Sequence, residues 1–127
     1  LYSIIRSGKS KRELAEYFGL DDSTFCSWLH GLVYVRNVCA HHSRLWNRIM
    51  RIQPRIPNNP KNKWLSDSGI PNNRTYYILS MILYLLNSIN EKNSIVSNFK
   101  SLLSLYPTID LSAMGFPQGW KNEKLWM

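Results

Sequence analysis

The sequence is short of acid. Eight Asp and Glu stand against sixteen Lys and Arg in 127 residues, a formal net charge of +8. The acids are scattered as Glu13, Glu16, Asp21, Asp22, Asp67, Glu91, Asp110 and Glu123. A two-metal phosphodiesterase needs clustered carboxylates to hold its ions, so this scatter argues against Mg²⁺ chemistry. Cysteine is scarcer still, with only Cys26 and Cys39. On one helix these two stand about 20 Å apart along the axis, beyond the reach of a disulfide. They read as reduced thiols, which fits a cytoplasmic compartment. Cys26, His30, Cys39 and His42 together suggest a zinc set, but His30 and Cys39 would be about 13 Å apart on that helix. They cannot converge on one ion, and no metal or cofactor is expected. No apolar run reaches the roughly 20 residues of a membrane span. The longest, 76–89, reads as a buried core helix, and no membrane partner is expected. Neither an internal repeat nor a low-complexity segment is present.

What the sequence does have is a surplus of base and one unusual stretch. The excess of Lys and Arg favours a polyanionic partner, nucleic acid first. A solvated basic surface without a partner is the alternative. The stretch is 28–48, free of proline and dense in Arg, Asn and His. At 100° per residue, Trp28, Leu32, Val35, Cys39, His42, Trp46 and Ile49 form an apolar stripe. Asn37, His41, Arg44 and Arg48 form a second, polar and cationic stripe, and the side chain of Arg36 can swing toward it. Cys39, placed in the apolar stripe, is not expected to be an exposed nucleophile.

Around this helix the pattern predicts others. Ser10-Lys11-Arg12-Glu13 is a capping box that starts a short helix over 11–18, and Gly19 suits its C′ position. Asp21, Asp22 and Ser23 offer the next cap. The segment 14–28 also imitates a DNA-binding helix-turn-helix, although a recognition helix should expose a polar N-terminal face and then end. Over 53–73 the periodicity collapses into a loop with Pro54, Pro57, Pro60 and Pro71. It carries Arg55, Lys61, Lys63 and, at its end, Arg74; Trp64 and Leu65 can anchor its middle. Such a loop can track a phosphate backbone or serve as an exposed connector. Asn73 is placed to cap a helix over 74–90, apolar almost all round and therefore central. Asn93 or Ser94 begins another, with Ile95, Val96, Phe99, Leu102 and Leu103 on one side, closed by Pro107. The tail, 109–127, reads as an extended strap pinned by aromatics.

These residue types can run one chemistry without a metal. Cleaving RNA through its 2′-OH needs a base, an acid and a cation for the phosphorane. Histidine titrates near neutral pH and serves as base or acid, while arginine grips two phosphate oxygens at once. Asn37, one turn before His41, can orient the imidazole or bond a phosphate oxygen. His42 lies in the apolar stripe and reads as a core residue, which leaves His41 as the reactive one. Arg44 and Arg48, with Arg55, Lys61 and Lys63 in the loop, are the expected RNA-binding cations. One chain supplies one such histidine, so acid and base on opposite sides of a phosphate suggest a homodimer across a two-fold axis.

Arg36-Asn37-Val38-Cys39-Ala40-His41 resembles the Arg-x4–6-His motif of the HEPN superfamily. The wider 28–48 stretch resembles the Abi-like abortive-infection proteins of the AbiD/AbiF type. Met114-Gly115-Phe116-Pro117-Gln118-Gly119-Trp120, followed by Leu125-Trp126, resembles the closing segment of that family. The resemblance implies an all-α HEPN bundle and metal-independent RNA cleavage to a 2′,3′-cyclic phosphate and a 5′-OH. It further implies a dimer formed around the motif, a toxin role in phage defence and an RNA or protein antitoxin. Carried over by position, Arg36 and His41 are the catalytic pair and Asn37 their polar assistant. Because Leu1 is not an initiator methionine, residues 1–127 are expected to be one HEPN-like domain at the C-terminal part of a longer chain. Some members of the superfamily only bind RNA, so a non-catalytic RNA-binding module is the alternative, with the helix-turn-helix DNA regulator as a second.

Overall fold

The structure is a computed structural model and describes residues 8–40, 49–66 and 69–127. Among the described residues, four α-helices and three short 3₁₀ turns with no strand make it all-α. Helix α1 spans Gly8–Tyr17. Ser10 therefore lies inside the helix and does not cap it, because the helix starts earlier than the capping box suggests. Its end is as expected. Gly19, at φ +68°, accepts the left-handed turn that a Cβ resists. The Gly19 N–H donates to the Glu16 carbonyl at 3.0 Å and the Leu20 N–H to the Ala15 carbonyl at 2.9 Å, the paired bonds of a Schellman stop. The chain then turns directly into helix α2, Asp22–Ala40. Asp21 caps it, accepting the Thr24 N–H at 3.0 Å and the Thr24 hydroxyl at 2.6 Å. Phe18 stacks on Phe25, ring centroids 5.3 Å apart, which closes α1 against α2.

The core face of α2 is Thr24, Phe25, Trp28, Gly31, Val35 and Val38. This corrects the expected stripe by part of a turn. Trp28 and Val35 are buried as predicted, but Leu32 is only half-buried, Cys39 is exposed and Ile49 is 64% exposed. His42 and Trp46 lie outside the described residues. The buried track steps from Trp28 to Gly31, where periodicity sees no side chain. A Cβ on Gly31 would stand 3.2 Å from Pro54 Cγ and 3.4 Å from Met81 Cε. The bare backbone is what lets the loop and the next helix close on α2.

That loop is tied down along its length. It runs antiparallel to α2, and each bond pairs a later loop residue with an earlier helix residue. The Arg51 N–H donates to Tyr34 Oη at 3.3 Å. The Arg55 N–H donates to Ser27 Oγ at 2.9 Å. The Arg55 carbonyl accepts both Trp28 Nε1–H and Tyr77 Oη–H, each at 2.8 Å. The Lys61 N–H reaches the Gly19 carbonyl at 3.0 Å. Trp64 does anchor the middle, with ring centroids 5.1 Å from Trp28, 5.6 Å from Tyr77 and 5.7 Å from Tyr84.

Helix α3, Thr75–Ile89, is the central element, buried from Thr75 through Leu85 at nine positions. Asn73 does not cap it. Arg74 takes the N-cap position, and the Asn73 carbonyl instead accepts the Met50 N–H at 2.8 Å. Two aromatic clusters meet on α3. Tyr77 and Tyr84, two turns apart, face Trp28 and Trp64. Tyr76 joins Phe116 and Trp126, and the Trp126 indole donates to the buried Ser80 hydroxyl at 2.9 Å. Helix α4, Ile95–Leu105, begins after Ser94 and meets this second cluster through Phe99. Leu102, expected on its inner side, is exposed. The tail is pinned by aromatics as expected, but it is not extended. It folds into 3₁₀ turns at Ser112–Met114, Trp120–Asn122 and Lys124–Trp126, because Phe116, Trp120 and Trp126 can all pack inward only if the chain coils between them.

Candidate functional site

The last described turn of α2 carries the candidate site. Trp28, Gly31, Val35 and Val38 hold one side of the helix against the core, so the other side is fixed in solvent. Arg36 and Asn37 are both exposed there. At 100° per residue, Asn37 sits about 60° from Tyr34 around the helix and Arg36 about 100° from Asn37. A guanidinium and an amide thus stand on adjacent outward faces, held by a rigid backbone. Their expected partners His41, Arg44 and Arg48 lie outside the described residues.

The loop adds a cation that sequence reasoning missed. Arg51 is exposed, and its N–H is held by Tyr34 Oη, so the chain returns to α2 a little under two turns before the helix's last residue, Ala40. Nothing in its sequence surroundings marks it. Its place follows from the antiparallel course of the loop, which the Pro-rich composition does not specify.

The other predicted cations are exposed but do not gather at this end. Arg55 is pinned at Ser27, nine residues before Arg36, hence about 13 Å away along the helix axis. Lys61 is pinned at Gly19, beyond the start of α2, so about 21 Å or more of helix separates it from Arg36. Lys63 shares a surface cleft with Lys61 at that far end. Together Arg51, Arg55, Lys61 and Lys63 form a track laid along the side of α2 that carries Ser27 and Tyr34; Asn37 lies about 60° from that side, and Arg36 about 160° from it. Exposed cations so spaced suit a chain of phosphates better than one small anion.

Among the described residues, no three His, Cys, Asp or Glu side chains lie close enough to hold a metal ion. Cys39 proves exposed, contrary to its placement in the apolar stripe, since Val38 takes the inward position beside it. Tyr77 and Tyr84 are held neutral, their phenol pKa values pushed up chiefly by burial, and both hydroxyls serve as donors to backbone carbonyls. At the start of α2 the Thr24 hydroxyl holds the Asp21 carboxyl below its usual value.

Residues 1–47 match the family model described as "Abi-like protein". Over this segment the chain is similar to Abi-like proteins. The match spans 47 of the 127 residues and takes in Arg36, Asn37, His41 and Arg44. No curated protein and no solved structure matches the chain. Within the Abi-like segment α1 and α2 are a packed pair, and the segment's C-terminal half presents the outward Arg36 and Asn37. No described helix is long and apolar enough to cross a membrane.

Proposed function

We propose that this chain is a metal-independent endoribonuclease of the HEPN class that acts in the cytoplasm as a toxin in abortive phage defence. Arg36 holds the scissile phosphate and stabilises charge as the phosphorane forms. His41 moves the proton of the 2′-OH or of the departing 5′-oxygen. Asn37 orients the imidazole or bonds a phosphate oxygen. Two copies across a two-fold axis supply the acid and the base together, and an RNA or protein antitoxin restrains them. The observation that carries this reading is the exposure of Arg36 and Asn37 on one fixed helix end, inside the segment that matches the Abi-like model, on a helix along which the loop lays further cations.

The decisive experiment is product-end analysis on single-stranded RNA, in EDTA, for the wild type, Arg36→Ala and His41→Ala. The expected products carry a 2′,3′-cyclic phosphate and a 5′-OH, and both variants lose cutting by at least a hundredfold. A 3′-OH product, or cleavage unchanged in both variants, would overturn the proposal. Bound but uncut RNA would favour the non-catalytic module. The DNA-regulator reading has less support. Asp21 and Asp22 place exposed carboxylates where a recognition helix would meet DNA, and Thr24 is buried against Asp21.

A further inference from the structure

A cleft lies at the far end of the cationic track, where α1 ends, the loop crosses and α3 passes into α4. Its volume is about 640 Å³. Lys61 and Lys63 enter it from the loop, and Lys124 from the last 3₁₀ turn. These come from separate parts of the chain, so the concentration of charge is a product of the fold. One acid, Glu91, also lines the cleft and leaves a cationic excess. Asn87 and Asn93 add amides, with the Asn93 side-chain N–H bonded to Asn87 Oδ1 at 2.7 Å.

At the rim of the cleft stands Tyr17. It is 61% exposed, although aromatic, and its ring meets Phe18 edge-on at 5.1 Å. Phe18 thus packs against the Tyr17 ring, which keeps an exposed aromatic surface in the lining of the cleft that the lysines share. An open aromatic face next to several cations is the arrangement that takes single-stranded nucleic acid, with the base stacked and the phosphates paired. A free anion would use the lysines without the ring, and a duplex has no unpaired base to offer it.

We propose that this cleft binds one nucleotide of a single-stranded RNA, its base on Tyr17 and its phosphates on Lys61, Lys63 and Lys124. It rests on the RNA reading above and extends it. The cleft holds the strand more than 20 Å from Arg36, by the helix rise of about 1.5 Å per residue, and so fixes which part of the RNA reaches the motif. Tyr17 and Lys124 then govern affinity and register and take no part in bond cleavage.

The test is fluorescence anisotropy of the full chain with a labelled single-stranded RNA 20-mer and with the same sequence as a duplex. Tyr17→Ala, Lys124→Ala and Arg36→Ala are compared with the wild type. Tyr17→Ala is expected to weaken single-strand binding about tenfold and leave duplex binding unchanged. Lys124→Ala should lower the slope of log affinity against log salt by about 0.7. Both positions are exposed, so thermal denaturation should match the wild type. If both variants bind single strands like the wild type while Arg36→Ala does not, the cleft proposal fails and the RNA reading stands. If the wild type binds neither RNA, both fail. Displacement of the 20-mer by millimolar adenosine monophosphate with equal dependence on Tyr17 would make the ligand a free nucleotide and overturn the strand assignment.

Discussion

Replacing Trp64 by alanine should unfasten the loop and with it the cationic track. Trp64 is the one aromatic residue of the described loop, half-buried among Trp28, Tyr77 and Tyr84 at ring separations of 5.1–5.7 Å. Truncating a buried Trp or Phe costs about 3–5 kcal/mol, and partial exposure lowers that to about 3 kcal/mol for this ring. For a chain of this length each kcal/mol moves Tm by about 4 °C, so a fall of roughly 12 °C is expected in calorimetry. A local readout separates loosening from global unfolding. The backbone at Arg51 and Arg55 is tethered, because both N–H groups are bonded to α2 side chains, and a tethered segment fits a protease poorly. Limited trypsin digestion at 25 °C should cut there far faster in Trp64→Ala. Trp64→Phe should retain most of the protection, since a smaller ring still fills the three-ring nest. A Tm within about 3 °C of the wild type, together with unchanged digestion, would refute the loop's attachment through this residue.

Gly19→Ala should destabilise by about 2 kcal/mol, from the left-handed backbone strain together with a Cβ forced against its neighbour; that Cβ would lie 2.9 Å from Lys61 Cβ, and urea denaturation measures the loss. Asp21→Ala should cost about 1 kcal/mol through the lost α2 cap. The Asp21 carboxyl binds its proton less readily when folded, so its contribution is complete above the unfolded carboxyl range near pH 4, and it fades as pH falls through the lower folded value. Asp21→Asn should therefore flatten stability against pH only on the acid side, and a difference that persists unchanged to pH 2 would contradict the cap assignment. Cys39 is exposed and Cys26 half-buried, so a disulfide reagent should modify one thiol of the native protein quickly and the second more slowly. Cys39→Ser should abolish the fast phase; loss of the slow phase instead would restore Cys39 to the buried stripe.

The elements that sequence made legible are those whose signal is local. The stop at Gly19, the cap at Asp21, the central helix from Thr75 and the anchoring of the loop by Trp64 all follow from a side chain acting on its near neighbours or from an unbroken apolar run. The errors share another origin. Ser10 and Asn73 have the chemistry of caps, but helix starts are set by where the chain must pack, and Asn73 spends its carbonyl on Met50. The tail's coiling is decided by three aromatic residues meeting α3 and α4, which no tail residue announces alone.

The rotation of the α2 face has the widest consequence for function. Periodicity counted side chains and chose Leu32 and Cys39, whereas the contact that orients the helix is made through Gly31, where Pro54 and Met81 come within 3.4 Å of a missing Cβ. Once Gly31 faces inward, Val38 must follow it one track along, and Cys39 turns outward. Arg36 and Asn37 then remain on the solvent side. The same close approach holds the loop against the helix, so one absent side chain both turns Arg36 to solvent and lays the loop's row of cations along the other side of α2. A larger residue at Gly31 would have to push away the loop or the central helix. The outward aim of Arg36 and the course of the loop cations are therefore a single packing feature of α2 and the loop, not two separately specified ones.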